Sequence, residues 1–112
     1  MAADPTVVIS FREIDADEEV RERIDTRCRA FAEEFPETTR YEMTLAPDGA
    51  GHSAHVRVSG RDTHLDAHGA AIELEHAAEK ALDKVHHQLR TVHDKRIFTR
   101  RREARKTSPK KA

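Results

Sequence analysis

Asp83-Lys84-Val85-His86-His87-Gln88-Leu89-Arg90-Thr91-Val92-His93-Asp94-Lys95 reads as a helix that runs into the basic segment Arg96-Ile97-Phe98-Thr99-Arg100-Arg101-Arg102-Glu103-Ala104-Arg105-Lys106. Working back from it, Leu74, Ala77, Ala78, Ala81, Val85, Leu89 and Val92 recur at helical spacing and form one apolar stripe. Glu73, Glu75 and Glu79 stand early and Lys84, Arg90 and Lys95 late, the order that a helix dipole favours. His86 and His87 read as exposed helix surface able to touch phosphate.

Charge separates at the end of this helix. Residues 95–112 carry nine Lys/Arg against one Glu, which leaves residues 1–94 with 11 basic and 20 acidic side chains out of totals of 20 and 21. The chain is therefore dipolar, about −9 in the body and +8 at the end, beneath a net charge of −1. Clustered cations attract a polyanion and release its counterions on contact, which points to nucleic acid or an anionic surface. A solvated helix end followed by a disordered, solubilising tail is the alternative.

The rest of the chain supplies a sheet for the stripe to cover. Thr6-Val7-Val8-Ile9-Ser10-Phe11 is a β-branched run with Val7, Ile9 and Phe11 on one side. Asp15 or Asp17 can cap the helix that follows, in which Val20, Ile24, Cys28, Phe31 and Phe35 form a stripe and Pro36 ends the run. Its other face offers Glu19–Arg23 and Asp25–Arg29 pairs at four-residue spacing. Tyr41, Met43 and Leu45 then alternate with polar residues, the turn-forming Pro47-Asp48-Gly49-Ala50-Gly51 intervenes, and Ala54, Val56 and Val58 alternate in turn. After Gly60-Arg61-Asp62 a fourth strand places Thr63, Leu65 and Ala67 inward and His64, Asp66 and His68 outward, with Gly69 as its end. The order βαβββα makes an α+β domain over residues 1–97, two helices packed on one face of a four-stranded sheet, and a basic, disordered tail over 98–112.

At 112 residues there is room for one core. The N-terminus has no basic region or signal-length apolar run, and nowhere do 18 apolar residues follow one another, so a soluble cytoplasmic protein without membrane contact is expected. The single cysteine, Cys28, has no partner for a disulfide and falls at a core spacing.

Eight histidines and 21 carboxylates supply many candidate acids, bases and ligands, but their spacing gives no catalytic constellation. His52 and His55 are three apart on a strand and face opposite sides. His55, His64, Asp66 and His68 share a face and could hold zinc only as an open surface cluster, and a polar sheet face is the simpler reading. There is no glycine-rich phosphate loop, no H-E-x-x-H and no second cysteine. The expectation is a non-enzyme with no cofactor, no metal and no small-molecule substrate.

The βαβββα order, the segment Asp83-Lys84-Val85-x-x-Gln88-Leu89 and its ending His93-Asp94-Lys95 together resemble the ribosome hibernation-promoting factor and ribosome-associated translation inhibitor family over roughly residues 6–96. The resemblance implies a fold similar to the double-stranded-RNA-binding domain. It further implies binding to the small ribosomal subunit and its rRNA where messenger and transfer RNAs would sit, blocking initiation in starved or stationary cells. Thr91 and His93 stand where the family usually carries further helix lysines, and Glu75 replaces an aromatic. The cations have moved to the C-terminal end. The length matches a short form, expected to be monomeric off the ribosome. Lys84, His87, Arg90, Lys95, Arg96, Arg100, Arg101 and Arg102 are the expected phosphate contacts and Gln88 a hydrogen-bonding contact, with structured RNA read by shape and backbone. Two other classes stay open: a general RNA-binding or RNA-chaperone module that uses the tail, and a protein-interaction domain whose tail only solubilises.

Overall fold

The computed structural model describes residues 4–107, and side-chain surroundings through Asp94. The elements run β1 (Thr6–Phe11), α1 (Glu18–Glu34), β2 (Thr38–Asp48), β3 (Gly51–Gly60), β4 (Thr63–Ala71) and α2 (Leu74–Thr107). One mixed sheet has the order β1-β2-β3-β4. β1 lies parallel to β2, because α1 carries the chain back to the starting end, whereas short turns make β2–β3 and β3–β4 antiparallel. The expected α+β order and two-helix, four-strand architecture are thus present.

Asp17 is the α1 cap: its carboxylate accepts from the Glu19 amide at 3.0 Å and the Val20 amide at 3.2 Å. The helix ends at Glu34, one residue before Phe35 as its C-terminal cap and two before Pro36. Both helical stripes and the inward sides of the strands close into one core, in which Ile24, Cys28, Phe35, Tyr41, Met43, Leu45, Val56, Val58, Val85 and Leu89 are buried. Val7, Ile9, Phe11, Leu65 and Leu74 pack half-buried around it. Leu82, absent from the sequence-derived stripe, is also buried. A polar cluster at depth is satisfied: the Thr38 hydroxyl donates to the Phe35 carbonyl at 2.7 Å and lies 2.8 Å from the Tyr41 hydroxyl. Burial pushes the Cys28 thiol up to about 12 and the Tyr41 phenol up to about 12.

Four local expectations change. β4 does not stop at Gly69 but continues to Ala71, and Gly69 points inward under α2. A Cβ there would lie 2.6 Å from the Ala77 carbonyl oxygen and 2.6 Å from the Ala81 nitrogen, so the missing side chain lets helix backbone rest on the strand. The first hairpin is tighter than the five-residue turn expected: Asp48 pairs with Gly51, and Gly49 takes φ 62° at the first turn position. Arg23 reaches across to α2 instead of pairing with Glu19, while Asp25–Arg29 forms as expected, 2.9 Å apart. His86 is not free surface; it is half-buried in the seam between the helices.

α2 is helical across position 97, where the sequence reading draws its domain boundary, and reaches Thr107. Arg, Ala, Glu and Lys are good helix formers, and no Gly or Pro interrupts them before Pro109. Residues 108–112 of the expected tail lie outside the described residues.

Candidate nucleic-acid interface

α2 crosses the domain with two unlike flanks on either side of its buried stripe. Lys80, Lys84, His87, Gln88 and Thr91 follow one another at four, three, one and three residues and share the flank beside β4. The Lys84 ammonium donates to the His68 carbonyl at 2.7 Å and the Lys80 ammonium to the Ala70 carbonyl at 3.3 Å. These carbonyls lie on the unpaired edge of the sheet, so both lysines satisfy strand groups that would otherwise face water or another strand. An ammonium has three donors, and the exposed Lys84 keeps two for a phosphate. His87 is exposed, its carbonyl accepts from the Thr91 hydroxyl at 3.0 Å, and Gln88 is half-buried beside it.

The other flank carries Glu75, Glu79, Asp83, His86 and Arg90, again at helical spacing. It is tied to α1 by Arg23–Glu75 at 3.1 Å, Arg23–Glu79 at 3.8 Å and Arg27–Asp83 at 3.1 Å. Below them the His86 ring stacks on Phe31 with centroids 5.0 Å apart, meets Phe35 edge-on at 6.1 Å and lies 3.1 Å from a Glu34 carboxylate oxygen. Arg90 belongs to this flank: six residues from Lys84 is about 120° around the helix by the shorter arc. Helical geometry therefore places Lys84, His87 and Gln88 on one flank and turns Arg90 away from Lys84 and Gln88, with His87, three residues before Arg90, between the two flanks. Lys80 joins the group; the sequence reading passed over it, although its four-residue spacing from Lys84 is a usable signal. Lys95, Arg96, Arg100, Arg101 and Arg102 lie outside the residues whose side chains are described, on backbone that continues α2.

On the uncovered sheet face, His55 lies 3.1 Å from Asp66, Arg57 lies 3.4 Å from the same carboxylate, and His55 pairs across the strands with His68. His64 sits opposite Ser59, two residues before Asp66 in β4. Among the described residues no group of three or more His, Cys, Asp or Glu is placed to hold a metal ion. His52 turns away from His55, its ring nitrogen 2.7 Å from the Ile72 carbonyl oxygen. No described helix is long and apolar enough to cross a membrane.

Two solved structures share this arrangement. A ribosomal subunit interface protein from Coxiella burnetii superposes with a TM-score of 0.69 at 12% identity, covering 80% of this chain and 98% of that one. The N-terminal domain of Protein Y from Thermus thermophilus gives a TM-score of 0.70 at 12% identity, over 80% of this chain and 99% of that one. At such identity the likeness is one of fold. No curated protein sequence matches the chain. The model of the family described as sigma 54 modulation protein / S30EA ribosomal protein matches residues 7–97, from the second residue of β1 into α2. That span covers both helical stripes, all four strands and the Asp83–Lys95 segment, and the chain belongs to this family.

Proposed function

We propose that this protein binds the small ribosomal subunit in the channel that messenger and transfer RNAs occupy, and that it inhibits translation there as a cytoplasmic stress or hibernation factor. Membership of the sigma 54 modulation / S30EA family over residues 7–97 carries the reading, and the structural neighbour named as a ribosomal subunit interface protein supports it. The charge layout agrees with it physically. One flank of α2 presents Lys80, Lys84, His87 and Gln88 and leads into a segment with nine cations and one acid, a stripe suited to rRNA phosphates and 2′-hydroxyls. The opposite, ion-paired acidic flank would be repelled by the same backbone, so the charges orient the molecule as well as attract it.

On this reading the protein acts by occupancy, with no reaction and no cofactor. Added to an in vitro translation reaction, it should inhibit in proportion to ribosomes, reaching completion near equal amounts, and a chelator should leave inhibition unchanged. Inhibition complete at a small fraction of the ribosome concentration would indicate turnover and overturn it. The concentration of cations in residues 95–112 also suits a general RNA-binding module. In that case bulk transfer RNA at equal phosphate concentration displaces the protein from ribosomes, which the channel-specific reading does not predict.

A further inference from the structure

A groove of about 440 Å³ runs between the N-terminal halves of α1 and α2. Its floor is apolar, formed by Ile24, Ala78 and Leu82, and its rim is acidic. Glu75 and Glu79 on the rim share Arg23, and the neighbouring Asp83 takes Arg27. Glu19 and Glu22, which also line the groove, have no ion pair among the described residues. Five carboxylates thus face two guanidiniums on one side of the molecule. The chain itself holds the complementary charge: residues 96–106 read RIFTRRREARK, six cations and one acid, with Ile97 and Phe98 as apolar residues among them.

The two features cannot meet within one molecule while α2 is helical from Leu74 to Thr107. Ala78 in the groove and Arg96 are then about 27 Å apart along a single axis at about 1.5 Å per residue. A second copy can supply what the first cannot. We propose that two copies associate through a two-fold axis, each seating its basic 96–106 segment in the acidic α1–α2 groove of the other. A reciprocal exchange closes the assembly, whereas one-way docking would continue into a filament. The inference rests on the RNA-binding role proposed for those cations and adds a regulation of it: the same side chains cannot serve the groove and rRNA phosphates together. The dimer is a store from which RNA draws the active monomer, in place of the monomer expected from sequence.

Sedimentation velocity of the full chain tests this. The proposal predicts a dimer at about 0.1 M salt and a monomer at about 1 M, where the screening length has fallen from about 10 Å to about 3 Å. The double substitution E19Q/E22Q should raise the dimer dissociation constant about tenfold. E42Q/D48N, an equal change in charge on the open sheet face and the first hairpin, should leave it within about twofold, with circular dichroism confirming that both variants fold. A single-stranded RNA oligonucleotide should convert dimer to an RNA-bound monomer. A monomer at both salts, an equal effect of the two double variants, or RNA bound to an intact dimer would overturn the proposal. Ribosome co-sedimentation of the same preparations separates the two readings: a monomer that still binds small subunits removes only the dimer, and a dimer that does not bind them removes only the ribosomal role.

Discussion

The imidazole of His86 lies flat on the ring of Phe31, centroids 5.0 Å apart and planes 19° from parallel, and this stack joins the two helices above the sheet. Arg27 holds its guanidinium over the same ring, 5.2 Å from its centroid. Phe31 is therefore core to one side and a platform to the other. Phe31→Ala should cost about 3 to 5 kcal/mol in urea unfolding, as truncation of a buried aromatic does. A double-mutant cycle with His86→Ala should return a coupling of about 0.5 to 1.5 kcal/mol, the range for paired rings. Additive effects would show that the rings are neighbours without interaction.

Gly69 tests the seat of α2 on the sheet. Gly69→Ala puts a methyl group 2.6 Å from helix backbone atoms that have no flexible end to swing away. We expect a loss of about 1 to 3 kcal/mol from overpacking, although alanine is the better strand residue locally. Ala70→Ser, on the opposite face of the same strand, should change stability by less than about 0.5 kcal/mol. Equal midpoints for G69A and the native chain would mean that α2 stands further from β4 than described.

Two buried acids give the fold an alkaline limit. The Cys28 thiol moves from 9.0 to about 12 and the Tyr41 phenol from 10.0 to about 12, both chiefly through burial. Below pH 9 each is protonated in the folded and unfolded chains, and stability is unaffected by them. As pH rises above 9 the unfolded chain releases the thiol proton while the folded chain retains it, and above about 10 the phenol adds to the trend. Stability therefore falls as pH rises through this window, by up to about 1.4 kcal/mol per unit for each group. Cys28→Ala should lower stability at pH 8 but flatten its decline between pH 9 and 10. Identical slopes in the two proteins, or rapid reaction of the native thiol with a thiol reagent at pH 8, would place Cys28 outside the core.

Helical spacing made both stripes readable, and with them Ile24, Cys28, Val85 and Leu89. Strand alternation did the same for Tyr41, Met43, Val56 and Val58. What escaped depends on partners distant in sequence. Arg23 has Glu19 at favourable local spacing, yet Glu75 is the acid within 3.1 Å once the helices dock. Gly69 looks like a terminator until a helix begins five residues later and folds back over it. His86 falls just off the apolar stripe, and only Phe31 and Glu34 on another helix show why an imidazole suits a half-buried place. At the candidate site, Lys84, His87 and Gln88 were legible because they share a flank. Arg90, six residues from Lys84 and two from Gln88, falls on the far side of the helix from both, which the helical wheel alone makes legible.

That separation gives the fourth prediction. Lys84→Gln with Gln88→Ala should weaken small-subunit binding about tenfold, whereas Arg90→Gln, on the acidic flank, should change it by less than about threefold. If about six cations of residues 95–112 neutralise phosphates, the log–log dependence of binding on salt should have a slope of roughly −4 to −5. Truncation after Ile97 should flatten that slope, and the K84Q/Q88A variant should keep most of it. Equal losses for R90Q and K84Q/Q88A would mean that both flanks contact RNA, and an unchanged slope after truncation would reduce the C-terminal cations to a solubilising role.

Occupancy of the messenger and transfer RNA channel is tested most directly by sedimenting the protein with purified small subunits, alone and after messenger with initiator transfer RNA is supplied. The protein should pellet near one copy per subunit and return to the supernatant when the two RNAs are added together, while bulk transfer RNA at the same phosphate concentration leaves it bound. Protein that stays on subunits already loaded with messenger and initiator transfer RNA, or that fails to pellet with small subunits at all, would contradict the proposed site.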